Sequence, residues 1–191
     1  MVKSPQSAFQ VRIIGGMHRG RRLQFADLPG LRPTGDRIRE TLFNWLQPYI
    51  EGARCLDLFA GSGALGLEAA SRGASEVVML DTAMAVVRQL AENKRLLGFD
   101  QVSVVRADAL QWLEQDATPF DIVFLDPPFV GNLLEPLCQR LSMGWLADGA
   151  HIYLEDTASR DMPTLPEGWE LRKQKSAGQV HYGLAYAPLP G

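Results

Sequence analysis

The sequence has little of what disulfide-stapled, metal-binding or membrane-spanning proteins require. Its two cysteines, Cys55 and Cys138, lie in apolar segments and form no CxxC pair, which argues against a secreted scaffold or a redox site. No window approaches the roughly 18 apolar residues of a membrane helix, and the N-terminus has no apolar signal segment. Three scattered histidines suggest neither a metal centre nor a Ser/His/Asp triad. We expect a cytoplasmic protein without a metal or a membrane anchor.

The net charge of −3 conceals an uneven distribution of charges. Residues 1–39 contain eight basic and two acidic side chains, whereas the remaining 152 residues contain 11 basic and 20 acidic ones. Seven of those eight cations are arginines, which can bind a phosphate through two hydrogen bonds at once. A polyanionic partner is therefore expected to meet the first fifth of the chain. The alternative is a solvated basic arm without a partner.

The order of apolar segments predicts the fold class. With 191 residues, 46% of them hydrophobic, the chain has the size of one domain with a sizeable core. From residue 53, short β-rich segments alternate with amphipathic ones, which is typical of an α/β fold with a mostly parallel sheet. The predicted strands cover 54–59, 76–81, 102–106, 121–126 and 150–155. The predicted helices cover 63–72, 84–97, 109–115 and 133–141.

Both ends of the chain depart from this alternation. Residues 169–175 and 179–186 are two strand-like segments that predict a closing antiparallel hairpin. Near the N-terminus, residues 10–16 and 21–25 predict a smaller hairpin, and a helix is expected over 37–46. Six of the eight basic residues in the first fifth of the chain thus fall in a short predicted β-hairpin and the helix after it.

A glycine-rich loop follows the first predicted parallel strand. It contains Gly61, Gly63 and Gly66 in a GxGxxG arrangement, which lets a nucleotide-like cofactor approach the backbone at the start of a helix. Asp81, 20 residues beyond Gly61, ends the next strand and is placed to accept hydrogen bonds from ribose hydroxyls. A dinucleotide-binding dehydrogenase would share all of these features.

Two further carboxylates favour a different cofactor. Asp57 ends the first strand, where an anion suits a cofactor with an ammonium group better than one with a pyrophosphate. S-adenosylmethionine has both an ammonium and a sulfonium group. Asp108, near the end of the third strand, could accept a hydrogen bond from the adenine amino group. The alternative for each acid is an N-cap of the helix that follows it.

The fourth strand ends in the motif Asp126-Pro127-Pro128-Phe129. The two prolines exclude a helix and lack amide donors, so the neighbouring carbonyls are held rigidly and stay free. Hydrogen bonds from an exocyclic base amine to the Asp126 carboxylate and the Pro127 carbonyl would direct the nitrogen lone pair at a methyl group. Phe129 offers a stacking face for a flipped-out base. The alternative is a structural Pro-Pro turn.

The complete set of motifs resembles a known family. The chain is similar to class I S-adenosylmethionine-dependent methyltransferases, and within them to the bacterial RsmD family, which methylates N2 of guanine 966 in 16S ribosomal RNA. This resemblance extends from about residue 10 to 185. The segments that carry it are ArgIleIleGlyGly (12–16), ArgGlyArgArgLeu (19–23), 32–44, 56–69 and 126–129.

The resemblance implies a fold and a cofactor. The expected fold is Rossmann-like, with a seven-stranded, mostly parallel sheet, an antiparallel last strand and a small N-terminal extension. Residues 1–50 would form the basic RNA-binding extension and residues 51–191 the catalytic domain, packed as a single compact unit. S-adenosylmethionine would bind to Asp57, Phe59, Gly61, Ser62, Gly63, Gly66, Asp81, Asp108 and Ala109.

The resemblance also implies a substrate. Asp126, Pro127 and Phe129 would bind the target guanine of 16S rRNA, within the 30S subunit or a late assembly intermediate. The protein itself is expected to be a monomer. RNA phosphates would be contacted by Arg12, Arg19, Arg21, Arg22, Arg32, Thr34, Arg37 and Arg39, with the loop through Thr34 over the active site.

Some assignments have alternatives. Arg37 and Arg39 are equally compatible with ion pairs to Asp36 and Glu40 on a helix surface. Lys175, Gln179 and His181 of the closing hairpin are expected to be surface residues, although they could contact RNA.

Three alternatives for the whole protein remain at this point. A DNA adenine-N6 methyltransferase would use the same Asp-Pro-Pro-aromatic motif, but it would need a base-reading domain for which little chain is left. A non-catalytic ribosome-assembly factor would bind RNA without transferring a methyl group. A dehydrogenase would bind nicotinamide at the glycine loop.

Overall fold

The computed structural model describes residues 9–31 and 33–188 of the chain. Nine strands and five α-helices are found in this part, together with a short 3-10 helix at Gly16–His18. The strands are β1 (Gln10–Arg12), β2 (Arg22–Gln24), β3 (Arg54–Asp57), β4 (Glu76–Asp81), β5 (Val102–Arg106), β6 (Phe120–Leu125), β7 (Leu146–Thr157), β8 (Glu170–Ala177) and β9 (Val180–Ala187). The helices are α1 (Asp36–Leu46), α2 (Gly66–Ser71), α3 (Met84–Leu97), α4 (Ala109–Trp112) and α5 (Leu134–Leu141).

Seven of the strands form one sheet in the order β5-β4-β3-β6-β7-β9-β8. Strands β3 to β7 are parallel to one another, and β9 is antiparallel to both of its neighbours, β7 and β8. The remaining two strands, β1 and β2, pair as a separate antiparallel hairpin. The predicted Rossmann-like sheet with an antiparallel last strand and a small N-terminal hairpin is therefore confirmed.

The sheet separates two hydrophobic clusters. One cluster contains residues of α1, α2 and α3 and also receives Val11, Ile13 and Leu23 of the N-terminal hairpin. The other contains residues of α4 and α5. Central strands such as β6 are apolar on both faces because helices cover both sides of the sheet. The hairpin is thus packed into the core of the domain rather than projecting from it.

Polar contacts fix the hairpin to α2. The Ile14 amide donates to the Glu68 carboxylate (2.8 Å), and the Ser71 hydroxyl donates to the Gly15 carbonyl (2.7 Å) and accepts from the His18 amide (3.0 Å). Gly16 has a positive φ of 73°, and a Cβ there would lie 1.8 Å from the Ser71 carbonyl oxygen. The residue at position 16 must therefore be glycine for the hairpin to approach α2 this closely.

Three predicted elements have the bounds that the structure gives, most others differ by a few residues, and the different starts of α2 and β7 have local reasons. Helix α3 covers 84–97 as predicted and ends at Gly98, which has a left-handed φ of 66°. Helix α2 begins at Gly66 and not at residue 63, because Gly63 has a φ of 81° that no α-helix contains. Strand β7 begins at Leu146 rather than 150, since its pairing with β6 starts there and shifts register before His151.

The structure bears on two further features, membrane-spanning helices and the two cysteines. Within residues 9–31 and 33–188, no helix is both long enough and apolar enough to cross a membrane. Cys55 and Cys138 are buried free thiols. Burial raises the pKa of Cys138 to about 12, and it raises the pKa of Cys55 still further, so neither is a reactive thiolate at neutral pH.

Candidate active site

Four acidic side chains meet at the carboxyl edge of the parallel strands. Asp57 ends β3, Asp81 ends β4, Asp126 directly follows β6, and Asp108 lies two residues beyond β5. The strand order reverses between β3 and β6, the neighbouring strands that carry Asp57 and Asp126. Ligands of open α/β sheets bind in the crevice at such a switch point. The sheet thus brings the predicted cofactor acids and the predicted base-binding acid to one place.

The first two acids shape the glycine loop between β3 and α2. The Asp57 carboxylate accepts hydrogen bonds from the amides of Phe59 (3.4 Å) and Gly66 (3.1 Å). Asp81 accepts from the Gly61 amide (3.1 Å) and from the Ala83 amide (2.8 Å). Each carboxylate oxygen has a second lone pair, so these contacts leave acceptor capacity for a ligand.

The three glycines of the loop have different functions. Gly61 and Gly63 adopt positive φ angles of 49° and 81°, which makes the tight turn possible. Gly66 does not, and a Cβ there would lie 2.8 Å from the Met79 side chain on β4. The third glycine therefore permits close packing of α2 on the sheet, as in dinucleotide-binding loops.

Asp57 is a buried charge without a cationic partner. Its side chain is 1% exposed, and no ion pair among the described residues involves it. Burial raises the pKa of Asp57 to about 7, although the amides of Gly66 and Phe59 counteract part of this effect. A ligand ammonium group at this position would supply the missing positive charge. The methionine part of S-adenosylmethionine has such a group, so the residues present fit this cofactor.

The remaining predicted cofactor residues lie around the same crevice. Asp108 is exposed and caps α4, accepting a hydrogen bond from the Gln111 amide (3.1 Å). The capping alternative thus describes Asp108 correctly, and its second carboxylate oxygen stays available for an adenine amine. Ser62 accepts from the Ala64 amide (3.3 Å) within the loop, Ala109 is the first, buried residue of α4, and Phe59 is half-buried.

The Asp126 motif is presented at the mouth of the crevice. Asp126 accepts a hydrogen bond from the Thr34 hydroxyl (3.3 Å), and Pro127 is buried. Phe129 is 43% exposed, so its ring is accessible to a base. Burial raises the pKa of Asp126 well above its ordinary value, and the nearby carboxylates of Glu155 and Asp57 raise it further. No cation among the described residues pairs with Asp126, so an incoming N–H donor would meet no competing positive charge there.

A second acid, which the sequence motifs do not single out, lies beside Asp126. Leu125 pairs with Leu154 in the parallel β6–β7 register, so Asp126 and Glu155 are the next neighbours along these strands. Glu155 is 5% exposed and accepts a 2.5 Å hydrogen bond from the Tyr153 hydroxyl. Burial raises the pKa of Glu155, and it raises the pKa of Tyr153 too. The signal was present, because Glu155 stands at the end of the fifth predicted strand.

Arg160 was also missed. Its guanidinium donates to the Phe129 carbonyl (3.2 Å) and the Gly131 carbonyl (2.5 Å), and it forms a 3.4 Å ion pair with Asp156. Arg160 therefore fastens the segment after the prolines to the end of β7. Nothing in the sequence pattern singles out this arginine, because its partners are backbone oxygens about 30 residues away.

The predicted RNA-binding arginines have different environments. Arg19, Arg21, Arg22 and Arg37 are exposed and have no ion-pair partner within residues 9–31 and 33–188. Arg12 is half-exposed and pairs with Asp36 (2.9 Å). Arg32 lies outside the described residues. These positions are compatible with contacts to an extended polyanion.

The prediction that Arg39 contacts RNA phosphates is wrong for this structure. Its side chain is only 1% exposed, so it cannot contact an RNA phosphate in this structure. The guanidinium instead donates to the carbonyls of Thr34 (3.1 Å) and Arg12 (2.8 Å) and pairs with Asp36. The expected ion pair with Asp36 is thus present, although it joins a buried guanidinium to a half-exposed carboxylate. A lone i, i+3 pattern could not reveal the burial.

Thr34 also has a different partner from the one predicted. It is 8% exposed, and its hydroxyl contacts Asp126 rather than facing outward. The prediction that the loop through Thr34 lies over the active site agrees with this contact. It also agrees with Leu31, whose Cδ1 lies 2.9 Å from the Cβ position that Gly61 lacks.

Similarity to known proteins is extensive. The model of the family "Conserved hypothetical protein 95" matches residues 11–186. The chain is 52% identical over 176 residues to ribosomal RNA small subunit methyltransferase D of Escherichia coli K12, covering 92% of this chain and 89% of that protein. It is 45% identical to the protein of the same name from Haemophilus influenzae, covering 96% and 97% of the two chains.

The chain is also similar to proteins of known structure. The chain superimposes on yhhF of Escherichia coli with a TM-score of 0.90 and 48% identity, covering 95% of this chain and 99% of that one. The 16S rRNA N2 methyltransferase RsmC of Thermus thermophilus, solved with AdoMet and guanosine, gives a TM-score of 0.68 at 24% identity. This second likeness covers 94% of this chain and 50% of that one, and it supports the fold alone.

Proposed function

This chain belongs to the RsmD-type family of class I S-adenosylmethionine-dependent methyltransferases, and from this membership we propose that it methylates N2 of guanine 966 in 16S rRNA. The observation that carries the proposal is the position of Asp126, a carboxylate without a cationic partner beside the crevice that Asp57 and the glycine loop form. The relatives named as small-subunit rRNA methyltransferases support the choice of RNA.

The cofactor residues follow from the geometry of the loop. S-adenosylmethionine supplies an electrophilic methyl group on a sulfonium. Asp57 would hold its ammonium group, the Asp81 carboxylate its ribose hydroxyls, and Asp108 its adenine amine. The turn at Gly61 and Gly63 lets this ligand lie against the backbone. The donor methyl would then point toward the Asp126 side of the crevice, across the β3–β6 switch point.

The target base is activated by acceptors and not by a strong base. The two N–H bonds of the guanine amine would donate to the Asp126 carboxylate and the Pro127 carbonyl, which accepts no hydrogen bond from the described residues. The nitrogen lone pair is thereby directed at the methyl group, and the N–C bond forms as the S–C bond breaks. The nitrogen becomes acidic only after methylation, so Asp126 or water takes up the released proton.

The RNA would lie across two basic surfaces. One is the hairpin with Arg19, Arg21 and Arg22, all exposed. The other is a cavity of about 300 Å³ between α1 and the β8–β9 turn, whose lining includes the side chains of Arg37 and Lys175. Hydroxyl groups also line it, and no carboxylate does. A phosphodiester would satisfy these donors without a competing anion.

The proposal extends to the form of the substrate and the state of the enzyme. We take the substrate to be 16S rRNA within the 30S subunit or a late assembly intermediate, and the enzyme to act as a monomer. Ribosomal RNA as substrate implies action in the cytoplasm. A basic extension at residues 1–50 and a catalytic domain at 51–191 would divide RNA binding from methyl transfer within one compact unit.

The decisive experiment is methyl transfer from labelled S-adenosylmethionine to small ribosomal subunits that lack the modification. Naked ribosomal RNA and DNA serve as parallel substrates, and nucleoside analysis identifies the product. We expect N2-methylguanosine from the subunits. Label in DNA as N6-methyladenine would overturn the choice of substrate while retaining the cofactor site. Absence of label in every substrate would favour a non-catalytic assembly factor.

A further inference from the structure

A chain of buried contacts connects the basic N-terminal segment to Asp126. The Arg39 guanidinium donates through Nη1 to the Arg12 carbonyl (2.8 Å) and through Nε to the Thr34 carbonyl (3.1 Å). The Thr34 hydroxyl then donates to Asp126 Oδ2 (3.3 Å). Arg39 and Thr34 are both buried, so these contacts form part of the folded interior.

We propose that Thr34 is a positioning residue of the methyl transfer and that Arg39 holds it in place. This inference rests on the proposed function, because it assigns Thr34 a role toward the carboxylate that binds the target amine. Thr34 does not touch the reacting atoms. It acts through Asp126, and Arg39 acts through Thr34.

The first consequence is orientation of the carboxylate. Of the two Asp126 oxygens, Oδ2 accepts from Thr34, whereas Oδ1 accepts from none of the described side chains or amides. Fixing Oδ2 on Thr34 restricts the rotation of the carboxylate and leaves Oδ1 as the oxygen that would accept from the amine of the target base. A positioned acceptor contributes to rate mainly by removing unproductive orientations.

The second consequence is the charge state of Asp126. Burial and the neighbouring carboxylates of Glu155 and Asp57 raise the pKa of Asp126, and among the contacts of Asp126 the Thr34 hydroxyl is the one that lowers it. Tyr153 does not assist, because its hydroxyl donates to Glu155 instead. Donation from Thr34 thus favours the ionised carboxylate that can accept the amine.

The third consequence concerns the RNA-binding segment. Arg39 also pairs with Asp36, which forms a second ion pair with the half-exposed Arg12. A single buried guanidinium therefore fixes both the strand that carries Arg12 and the loop that carries Thr34. Correct placement of the basic segment and correct placement of Asp126 depend on the same side chain.

The test compares Thr34→Val with Thr34→Ser in methyl transfer to small subunits. Valine keeps the size of the side chain and removes the donor, whereas serine keeps the donor. We expect kcat to fall about tenfold in T34V, the typical effect of losing a hydrogen bond to a charged group. KM for both substrates should be unchanged, and T34S should restore most of kcat. Thr118→Val is the matched control, since Thr118 is exposed before β6 at the opposite edge of the sheet.

The pH profile provides a readout that a merely structural role would not move. Without the Thr34 donor the pKa of Asp126 rises, so the acid limb of kcat should shift to higher pH in T34V and not in T34S. A raised KM for RNA with unchanged kcat would overturn the inference and assign Thr34 to RNA binding. Kinetics equal to those of the wild type would overturn it as well.

A titration of the free enzyme separates this inference from the proposed function. The Asp126 carboxyl carbon is followed by ¹³C NMR in the wild type and in T34V, with no RNA present. A higher pKa in T34V supports the Thr34 contact even if the wild type methylates no ribosomal RNA. An unchanged pKa overturns the inference even if the wild type forms N2-methylguanosine.

Discussion

Two regions of this molecule bury carboxylates in opposite ways. On α2, Glu68 is fully buried and is contacted by two guanidinium groups, Arg72 at 2.7 Å and Arg39 at 3.5 Å. At the carboxyl edge of the sheet, Asp57 and Glu155 are buried and Asp126 is partly buried, but none of these three has an ion pair among the described residues. The buried charge of the first region is therefore compensated within the protein, and the buried charges of the second region are not.

The difference separates structural acids from acids that serve a ligand. Burying an ion pair is tolerated when each charge finds its partner inside the protein, as Glu68 does. An unpaired buried carboxylate costs free energy in the ligand-free protein, which is visible in the raised pKa of Asp57, about 7. Proteins retain such groups where a substrate or cofactor supplies the missing charge or donor.

Among the variants that test this difference between the two kinds of buried acid, the largest effect is expected for Asp126→Ala. Because Asp126 is assigned to the target amine, we expect turnover to fall about a thousandfold. Binding of S-adenosylmethionine should persist, since Asp57 and Asp81 shape the cofactor loop independently of Asp126. Turnover is measured with small subunits and binding by calorimetry. Equal loss of both would contradict the division between the two acids.

For Glu68→Gln we expect a loss of stability instead of a specific loss of turnover. Removing this charge leaves the buried Arg39 with less compensation, and the free energy of unfolding should fall by about 3 kcal/mol. Denaturant unfolding measures the change. Glu92→Gln is the control: Glu92 forms an exposed pair with Arg95 on α3, and its loss should leave stability unchanged. Equal stability of the two variants would show that the buried charge of Glu68 does not stabilise the fold.

A pH titration of cofactor binding sharpens the contrast at Asp57. An ammonium ligand requires the ionised carboxylate, and burial holds the pKa of Asp57 at about 7 in the free enzyme. Affinity for S-adenosylmethionine should therefore decrease below pH 7, approaching tenfold for each pH unit, as calorimetry can measure. Asp81, Asp126 and Glu155 are the other acids nearby, so Asp57→Asn is the control that should remove the pH dependence if Asp57 causes it.

Asp57 should also affect how the free energy of unfolding of the ligand-free enzyme depends on pH. Its contribution should change with pH in the opposite direction from that of an acid in an ion pair. The pKa of Asp57 is raised from 3.8 in the unfolded chain to about 7 in the folded one, so the folded state binds the extra proton between these values. Its penalty is complete above pH 7 and is relieved as the pH falls toward 3.8. A paired acid instead loses its stabilisation on acidification.

The smallest expected effect is at the cavity beside α1. Lys175→Ala should weaken binding of small-subunit RNA only a few-fold, and it should lower the slope of log affinity against log salt by about 1, as expected for one lost phosphate contact. Arg140→Ala is the control, because Arg140 lies in the last turn of α5, on the side of the sheet away from the hairpin and away from the carboxyl edge. An unchanged salt slope in K175A would remove this cavity from the RNA surface.

Much of the fold could be predicted from the sequence because local signals were strong. The bounds of β4, α3 and β5 agree with the predicted ones, where β-rich apolar runs and the Gly98 cap mark the ends. The strand-end acids were found because parallel strands place their carboxyl ends at one edge. Their assignments to particular parts of the cofactor and the base stay predictions until the experiments above are made.

The remaining features depend on contacts between distant parts of the chain. Arg39 was expected at the surface because a buried arginine is exceptional, and its burial depends on a backbone carbonyl at Arg12 and on Glu68. Thr34 reaches a carboxylate 92 residues further along the chain. Local periodicity contains no information about such pairs, so a single sequence could not reveal them.

The contacts of the N-terminal hairpin constrain the order in which parts of the chain can fold during synthesis. The hairpin is synthesised before the residues that hold it: Glu68 and Ser71 follow Ile14 and Gly15 by 54 and 56 residues, and Asp126 follows Thr34 by 92. The nascent arginine-rich segment must therefore wait for α2 before it can dock, and for β6 before Thr34 meets its acid. An arginine-rich segment made before its partners thus stays undocked until the chain as far as β6 has been synthesised.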